Sequence, residues 1–358
     1  MKNTYPLYYK NFRCIADKCP DTCCAGWSIV VDTASREKYL SVGGSFGQKL
    51  KETMSVDSDG DTVFNNVNGR CPFLLENGLC EMFIELGEES LCHTCTLFPR
   101  HVSFFGARKE TGLSLSCPEA ARLIMESSEP IEFEEREEEG KIQPNSIDPN
   151  LYFSLLKARK TAINILQNRK YSVSERLVAF LRFSSQLQLS LKKEETVPDI
   201  DESFFAKPEC NKIRARKALA KYFSDLLTLE KLDGGWNPIL ETAAVLKDDS
   251  FASFLRDCRE NSWEAEHLAV YFVFRYFLTA AYDGDVLTKS KFIAAAVITI
   301  SRIIASGEYS SKQNRVNAMQ KWSKEVEHSA ENMDFLTRSI KKSKYYSIDN
   351  LINILSEE

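Results

Sequence analysis

Residues 12–27 read FRCIADKCPDTCCAGW, four cysteines within eleven positions. Two of them, Cys23 and Cys24, are adjacent. The chain has 358 residues, length enough for about two domains of roughly 150 residues each. Nine of its eleven cysteines (Cys14, Cys19, Cys23, Cys24, Cys71, Cys80, Cys92, Cys95 and Cys117) fall in the first 117 residues, and only Cys210 and Cys258 lie beyond. The opening MKNTYPLYYK has no apolar run of the signal-peptide kind, so a cytoplasmic location is expected, where thiols stay reduced. An odd, clustered set of cysteines in that setting points to metal or cluster ligation and away from a disulfide framework.

Composition sets the outer limits. Hydrophobic residues make up 43% and charged residues 27%, ordinary for a globular chain. A net charge of -5 gives no global reason to expect nucleic acid as a partner. The most membrane-like stretch, FIAAAVITISRIIA (292–305), is shorter than the ~20 residues a span needs and carries Arg302. It reads as a buried helix, with no membrane span.

Thiolates suit zinc, Cu(I) and iron–sulfur clusters and are poor ligands for magnesium or calcium. The first group is C-x4-C-x3-C-C; Cys71 stands in RCPFL, Cys80 in GLCEMF, and Cys92 and Cys95 form C-x2-C in LCHTCTLFPR. Cys19, Cys71 and Cys117 each precede a proline, which stiffens the chain at the sulfur. Structural zinc usually takes paired C-x2-C knuckles, and only Cys92/Cys95 has that spacing. Consecutive side chains diverge, so Cys23 and Cys24 do not comfortably share one tetrahedral ion. One faces a metal while the other packs or reacts, or the two serve different centres. His93, inside the C-x2-C, and His101 are further candidates, whereas His267 and His328 read as ordinary helix residues. Cys210 and Cys258 read as isolated thiols on helices.

The chain changes character near residues 128–150. Before it, SIVVD (28–32) and Thr62–Phe64 read as strands, and Thr33 as the cap of a short helix through Leu40. VGGSFG (42–47) reads as a turn, and His101–Phe105 with Lys109–Ser116 as a hairpin about Gly106. Pro118 opens a helix after Cys117. The acidic run FEEREEEG (133–140) reads as a solvated linker. After Asn145 apolar residues recur at helical spacing, with helices expected near 151–166, 177–187, 212–232, 249–258, 264–282, 286–306, 312–328 and 331–342. The expected fold is an α+β cysteine-rich N-terminal domain over residues 1–135, then a mainly α-helical domain over 136–358. The whole is mostly α.

FRCIADKCPDTCCAGWSIVVD, RCPFL, GLCEMF, LCHTCTLFPR and SLSCPEAARL together resemble the flagellin lysine-N-methylase family. That family is similar to a broader group of small cysteine-rich zinc- or iron-chelating domains, which share the Cys-Cys pair and a C-x2-[FY]-P ending, matched here by CTLFP (95–99). The resemblance covers about residues 9–125 and extends weakly to HLAVYFVFRYFLTAAYDGD (267–285). It implies methylation of flagellin lysines with S-adenosylmethionine as donor. It also implies an iron–sulfur cluster, of the 4Fe-4S kind, or zinc, on the N-terminal cysteines. Carried over by position, the metal ligands are Cys14, Cys19, Cys23, Cys24, Cys71, Cys80 and Cys95, with Cys92 and Cys117 next. One four-ligand cluster cannot take them all, so the set contains non-ligands or a second centre.

Two common routes to methyl transfer are absent from the sequence. There is no G-x-G-x-x-G after a strand, and the C-x3-C-x2-C of radical S-adenosylmethionine enzymes is broken because Cys24 follows Cys23 at once. A methyl acceptor lysine must be neutral, although its ordinary pKa is about 10.4. Asp21, Glu81, Glu85 and Tyr39 are the candidate proton acceptors near the cysteines. Trp27, Tyr271, Phe274 and Tyr276 are candidates to rim a cleft for donor or lysine stem. Two rival functions stand beside the enzyme: a non-catalytic zinc- or iron-binding interaction module, and a redox-sensing iron–sulfur protein.

Overall fold

The computed structural model describes residues 1–140, 146–245, 258–307 and 311–357, and the side chains of 258–262 are not part of that description. The helix expected over 249–258 lies outside these residues up to Cys258. The described fold is mostly α, with two small sheets confined to the first 137 residues.

The larger sheet has the order β5-β6-β1-β7. Strands β5 (Arg100–Phe105) and β6 (Arg108–Leu113) form the expected hairpin about Gly106. β1 (Lys2–Pro6) lies parallel to β6, and β7 (Phe133–Glu137) pairs antiparallel with β1 from Lys2↔Glu137 to Pro6↔Phe133. The acidic run is therefore a strand and not a linker. Its carboxylates meet cations across the sheet: Glu134 with Lys10 (2.6 Å), Glu135 with Arg108 (3.0 Å) and Glu138 with Lys109 (2.6 Å). A run of like charge stays solvated only where nothing opposes it, and here β1, β6 and the turn after β1 do.

The second sheet, β2-β4-β3, comprises β2 (Ile29–Val30), β3 (Met54–Val56) and β4 (Thr62–Phe64). Helix α1 (Thr33–Ser41) is capped by Asp32, one residue before the expected Thr33. Helix α2 (Gly44–Glu52) begins inside VGGSFG, which is thus a helix start and not only a turn. Gly47 is required there, because a Cβ would overlap the Val42 carbonyl. Three short helices follow: α3 (Glu81–Leu86), α4 (His93–Leu97) and α5 (Pro118–Ile124).

The helical part contains α6 (Pro149–Leu166), α7 (Val173–Lys192), α8 (Lys212–Thr228), α9 (Trp236–Ala244) and α10 (Cys258–Tyr276). It continues through α11 (Val286–Ser306), α12 (Lys312–Glu327), α13 (Ala330–Lys342) and α14 (Ile348–Leu355). Every residue of α11 from Ser290 to Ile304 is buried, as expected for a helix apolar on all sides. It is the axis against which α7, α9, α10, α12, α13 and α14 pack. Buried ion pairs tie the layers: Glu266 with Arg176 (2.7 Å), Glu264 with Arg315 (2.7 Å), and Glu110 of β6 with Arg159 of α6 (2.6 Å). No described helix is long and apolar enough to cross a membrane.

The apolar packing separates a large core from two small clusters. The large core runs from Phe105 and Leu115 through the helices. One small cluster surrounds Phe64, Phe73, Cys71 and Cys92; the other holds Phe12, Leu113 and Cys117. Six of the N-terminal thiols belong to or pack against these two small clusters: Cys24, Cys71, Cys80, Cys92 and Cys95 at the first and Cys117 at the second.

Candidate functional site

Local structure aims backbone amides at several sulfurs. Cys80, Cys92 and Cys117 each occupy the residue immediately before a short helix, α3, α4 and α5 respectively. No amide makes a cap hydrogen bond to these sulfurs, but the first-turn amides lie close enough to favour the thiolate: Phe83 and Met82 at Cys80, Cys95 and Thr94 at Cys92, Ala120 and Glu119 at Cys117. The Phe73 amide acts on Cys71 in the same sense. Asp32 holds this arrangement together, accepting from Ser35 N (3.0 Å) at the start of α1 and from His93 N (2.8 Å) at the start of α4. These amide bonds lower Asp32 to about 2.

The nine N-terminal thiols fall into two sets of electrostatic neighbours. Cys24, Cys71, Cys80, Cys92 and Cys95 feel one another, and all five pack on the Phe64/Phe73 cluster. Cys14, Cys19, Cys23 and Cys117 feel one another in turn. The sets meet at Cys23 and Cys24, whose side chains act on each other so that Cys24 is held below the ordinary thiol range and Cys23 is pushed up. Cys95 and Cys92 form the corresponding pair. Burial pushes Cys71 up to about 12 and Cys117 up to about 11, despite the amides.

This donor chemistry fits a thiophilic centre. Buried thiols that repel one another as thiolates, with amides nearby that favour the thiolate, ionise together only with a cation among them. Amide donors to sulfur also tune iron–sulfur centres. Thiolates about 2.3 Å from a shared zinc would stand within roughly 4 Å of each other. Among the described residues no three His, Cys, Asp or Glu side chains are drawn together in that way. The thiols approach in pairs.

Beside Cys117 lies a polar and aromatic cluster that the sequence reading divided among unrelated roles. Trp27 stacks on His328 (centroids 4.7 Å, planes 12° apart), and Phe98 packs 5.5 Å from both rings. His328 is hydrogen-bonded to Ser116, next to Cys117. Burial, then the Arg275 and Lys324 charges, lower His328 to about 4. It is an interface residue, not an ordinary helix residue. Behind it, the Glu327 carboxylate accepts from Tyr276 OH (2.5 Å), Tyr271 OH (3.2 Å) and Ser323 Oγ, and is ion-paired with Arg275, whose Nε lies 2.9 Å away and donates to Tyr276 OH. Leu115 N donates to Tyr271 OH (3.1 Å), and Arg275 Nη1 is buried without a partner. Three hydroxyl donors and one guanidinium charge hold Glu327 in place.

The candidate residues scatter accordingly. Trp27, Tyr271 and Tyr276 do gather here, but Phe274 stacks on Phe133 of β7 (5.0 Å) under Arg159. Asp21 is no free base: it accepts from Lys324 (2.5 Å) and Gln320 (2.8 Å). Glu81 pairs with Lys49, Glu85 is exposed, and Tyr39 is buried with its hydroxyl on Ser90 O (2.6 Å). His93 is exposed, while the His101 ring lies against Gly112, where a Cβ would overlap it. Cys210 packs on the helical core and donates to Asn353 O (3.4 Å). Arg275, Glu327, Ser116 and Ser323 were missed. They come from segments far apart in sequence and match no motif. An open cleft of about 690 Å3, lined by Arg182, Phe204, Arg214 and Ile352 among others, is not lined by any cysteine. Its size says nothing about the thiol chemistry.

Residues 159–354 match the FliB lysine N-methylase C-terminal domain. The chain is 29% identical over 139 residues to a lysine-N-methylase of Salmonella choleraesuis, covering 37% of this chain and 35% of that protein. It is 30% identical over 128 residues to the flagellar biosynthetic protein FliU of Salmonella muenchen, covering 34% of this chain and 76% of that protein. A lysine-N-methylase of Salmonella typhimurium is similar to the same extent as the first, again over 35% of its length. The matched region thus spans about a third of the lysine-N-methylases. No solved structure matches. More than half of the chain lies within one family's domain, and the chain belongs to the FliB lysine N-methylase family.

Proposed function

We propose that this protein is a protein-lysine N-methyltransferase acting on flagellin lysines, with S-adenosylmethionine as methyl donor and an iron–sulfur cluster on its cysteines. The family membership carries the lysine-methylation part of this reading, and the name of the FliU relative points to the flagellum. The gathering of thiols, with helix-start amides near Cys80, Cys92 and Cys117, supports the cluster. Cys24, Cys71, Cys80, Cys92 and Cys95 would hold it, in a largely apolar shell that limits water. When bound, an iron–sulfur cluster with an open coordination position supplies a Lewis-acidic iron for the methionyl amino and carboxyl groups of the donor.

The chain's own residues address the other requirement, a neutral acceptor amine. Trp27 and Phe98 offer ring faces for a lysine stem. The positive charges of Arg275 and Lys324 that keep His328 neutral also disfavour an ammonium at the same place. A lysine entering there loses its proton to solvent more readily than in water, with no dedicated base. Glu327 acts as a positioning residue, orienting Arg275, Tyr271 and Tyr276 through its hydrogen bonds.

The test is anaerobic purification of the chain, incubation with methyl-labelled S-adenosylmethionine and flagellin, and mass spectrometry for methyl-lysine. Cluster-dependent label on flagellin lysines is expected. Stoichiometric zinc without iron or sulfide would overturn the cofactor, and absence of methyl-lysine with a loaded cluster would overturn the activity. Donor binding that is unchanged when the cluster is removed would overturn the iron's role in holding the donor.

A further inference from the structure

We infer that a groove between α7, α8 and α14 docks an acidic, partly apolar segment of a partner polypeptide, the protein whose lysines are methylated. This rests on the protein-substrate part of the proposed function and goes beyond it, since that reading names no docking surface. The groove joins two clefts of about 690 Å3 and about 580 Å3, which share Asn211, Arg214 and Asp349. Every residue lining it lies between Arg182 and Asn353, and none belongs to the cysteine-rich part.

Positive charge is concentrated here against the trend of the chain. Acids outnumber bases 51 to 46 overall, yet residues 207–221 hold six Lys or Arg against Glu209 alone, and residues 338–344 hold four with no acid. Lys221 and Lys341 are paired, with Asp225 (2.5 Å) and Asp285 (2.9 Å). Lys217 of α8 and Lys344, just before α14, line the same cleft, are exposed, and have no ion pair among the described residues. Asn211 and Ser347, the caps of α8 and α14, line that cleft too, so two positive helix ends stand beside the two ammonium groups. Together they draw carboxylates to the groove.

The walls are fixed by their own hydrogen bonds. Asn353 of α14 clamps the start of α8, accepting from Asn211 N (2.7 Å) and donating to Asn211 O (2.8 Å). Arg214 Nε donates to Asn350 of α14, and Arg182 of α7 donates to Ser203 O (2.9 Å) and Phe204 O (2.8 Å). A preformed groove needs little ordering on binding. Its chemistry selects polypeptide over nucleic acid. Phe204 and Ile352 give it an apolar surface, and Ile213 stands at the rim, 69% exposed, between Lys212 and Arg214. Ser185 and Gln186 line it without a hydrogen-bond partner among the described residues, which leaves a hydroxyl and an amide for a peptide backbone. Glu209 and Asp349 stand among the cations and repel a continuous phosphate chain. A peptide can set its acids by Lys217 and Lys344 and its apolar residues by Ile213 and Ile352.

The experiment is fluorescence anisotropy of a fluorescein-labelled peptide alternating Asp or Glu with Leu, titrated with the full-length chain; it needs neither cofactor nor methyl transfer. Saturable binding is expected, weakening about tenfold between about 50 mM and about 500 mM salt. Lys217→Glu/Lys344→Glu, at two exposed positions, should weaken it about tenfold or more, and Ile213→Ser a few fold. A peptide with Lys in place of Asp and Glu should not bind. In the methylation assay the double variant should raise KM for flagellin and leave kcat unchanged. No saturable binding of the acidic peptide, or equal binding by the double variant, would overturn the docking groove. Tighter binding of a single-stranded oligonucleotide or of phosphatidylglycerol vesicles, lost in the same variant, would overturn a polypeptide as its occupant. Peptide binding lost while KM for flagellin stays the same would overturn the substrate as that polypeptide. Absence of methyl-lysine with peptide binding intact would overturn the proposed function and leave the groove standing.

Discussion

Acidification from pH 7 to pH 5 tests the environment assigned to His328. In the unfolded chain the ring titrates near 6.5; in the folded chain burial and the Arg275 and Lys324 charges lower it to about 4. Between these values the unfolded state binds the proton and the folded state does not. Stability is therefore fully present above pH 6.5 and declines as pH falls, levelling off below pH 4. Linkage puts the loss from this one ring at about 2 kcal/mol by pH 5 and about 3 kcal/mol by pH 4. His101 and His267 are also lowered by burial, so the wild-type acid limb is steeper than His328 alone would make it. The informative quantity is thus the difference between wild type and His328→Gln, which keeps a hydrogen-bonding group for Ser116 but does not titrate. Urea unfolding at 25 °C, followed by tryptophan fluorescence, reads that difference. The wild-type advantage should shrink by about 2 kcal/mol from pH 7 to pH 5. Parallel acid limbs for the two proteins would refute the buried, neutral imidazole.

Three further outcomes follow from particular contacts. Glu110→Gln leaves Arg159 buried without its charge partner and should cost about 3–5 kcal/mol in denaturant, while Glu110→Leu with Arg159→Met should recover most of it. Gly112→Ala places a methyl group against the His101 ring and should cost about 1–3 kcal/mol, with His101→Ala restoring part of the loss. Asp32→Ala removes the cap of α1 and the acceptor for His93 N–H, costing about 1–2 kcal/mol and lowering iron retention on anaerobic dialysis. Unchanged stability in any of the three would contradict the contact named for it.

The helices were legible because periodicity is local. Val286–Ser306 and Lys312–Glu327 lie where apolar spacing puts them, and Pro118 opens α5. The acidic strand β7 was not legible, because its charges look solvated until Lys10, Arg108 and Lys109 are placed across from them. Nor was the role of α12: Gln320, Lys324, Glu327 and His328 carry no motif, and their importance lies in what the fold sets against them. The family match falls over residues 159–354, in helices that the residue patterns left chemically silent.

Cysteine spacing alone located a thiol-rich region and the soft-metal chemistry that its side chains would favour, since both follow from residue type and position; the expected divergence of Cys23 from Cys24 differs from a structure in which the two side chains act on each other. Spacing could not say which thiols keep company. That depends on contacts such as Cys71 N to Cys24 O and Gln320 to both Asp21 and Ser116, which join segments 47 to 299 residues apart. Contacts at that range are formed by tertiary packing, such as that of α12 against α5, and leave no periodic trace along the chain.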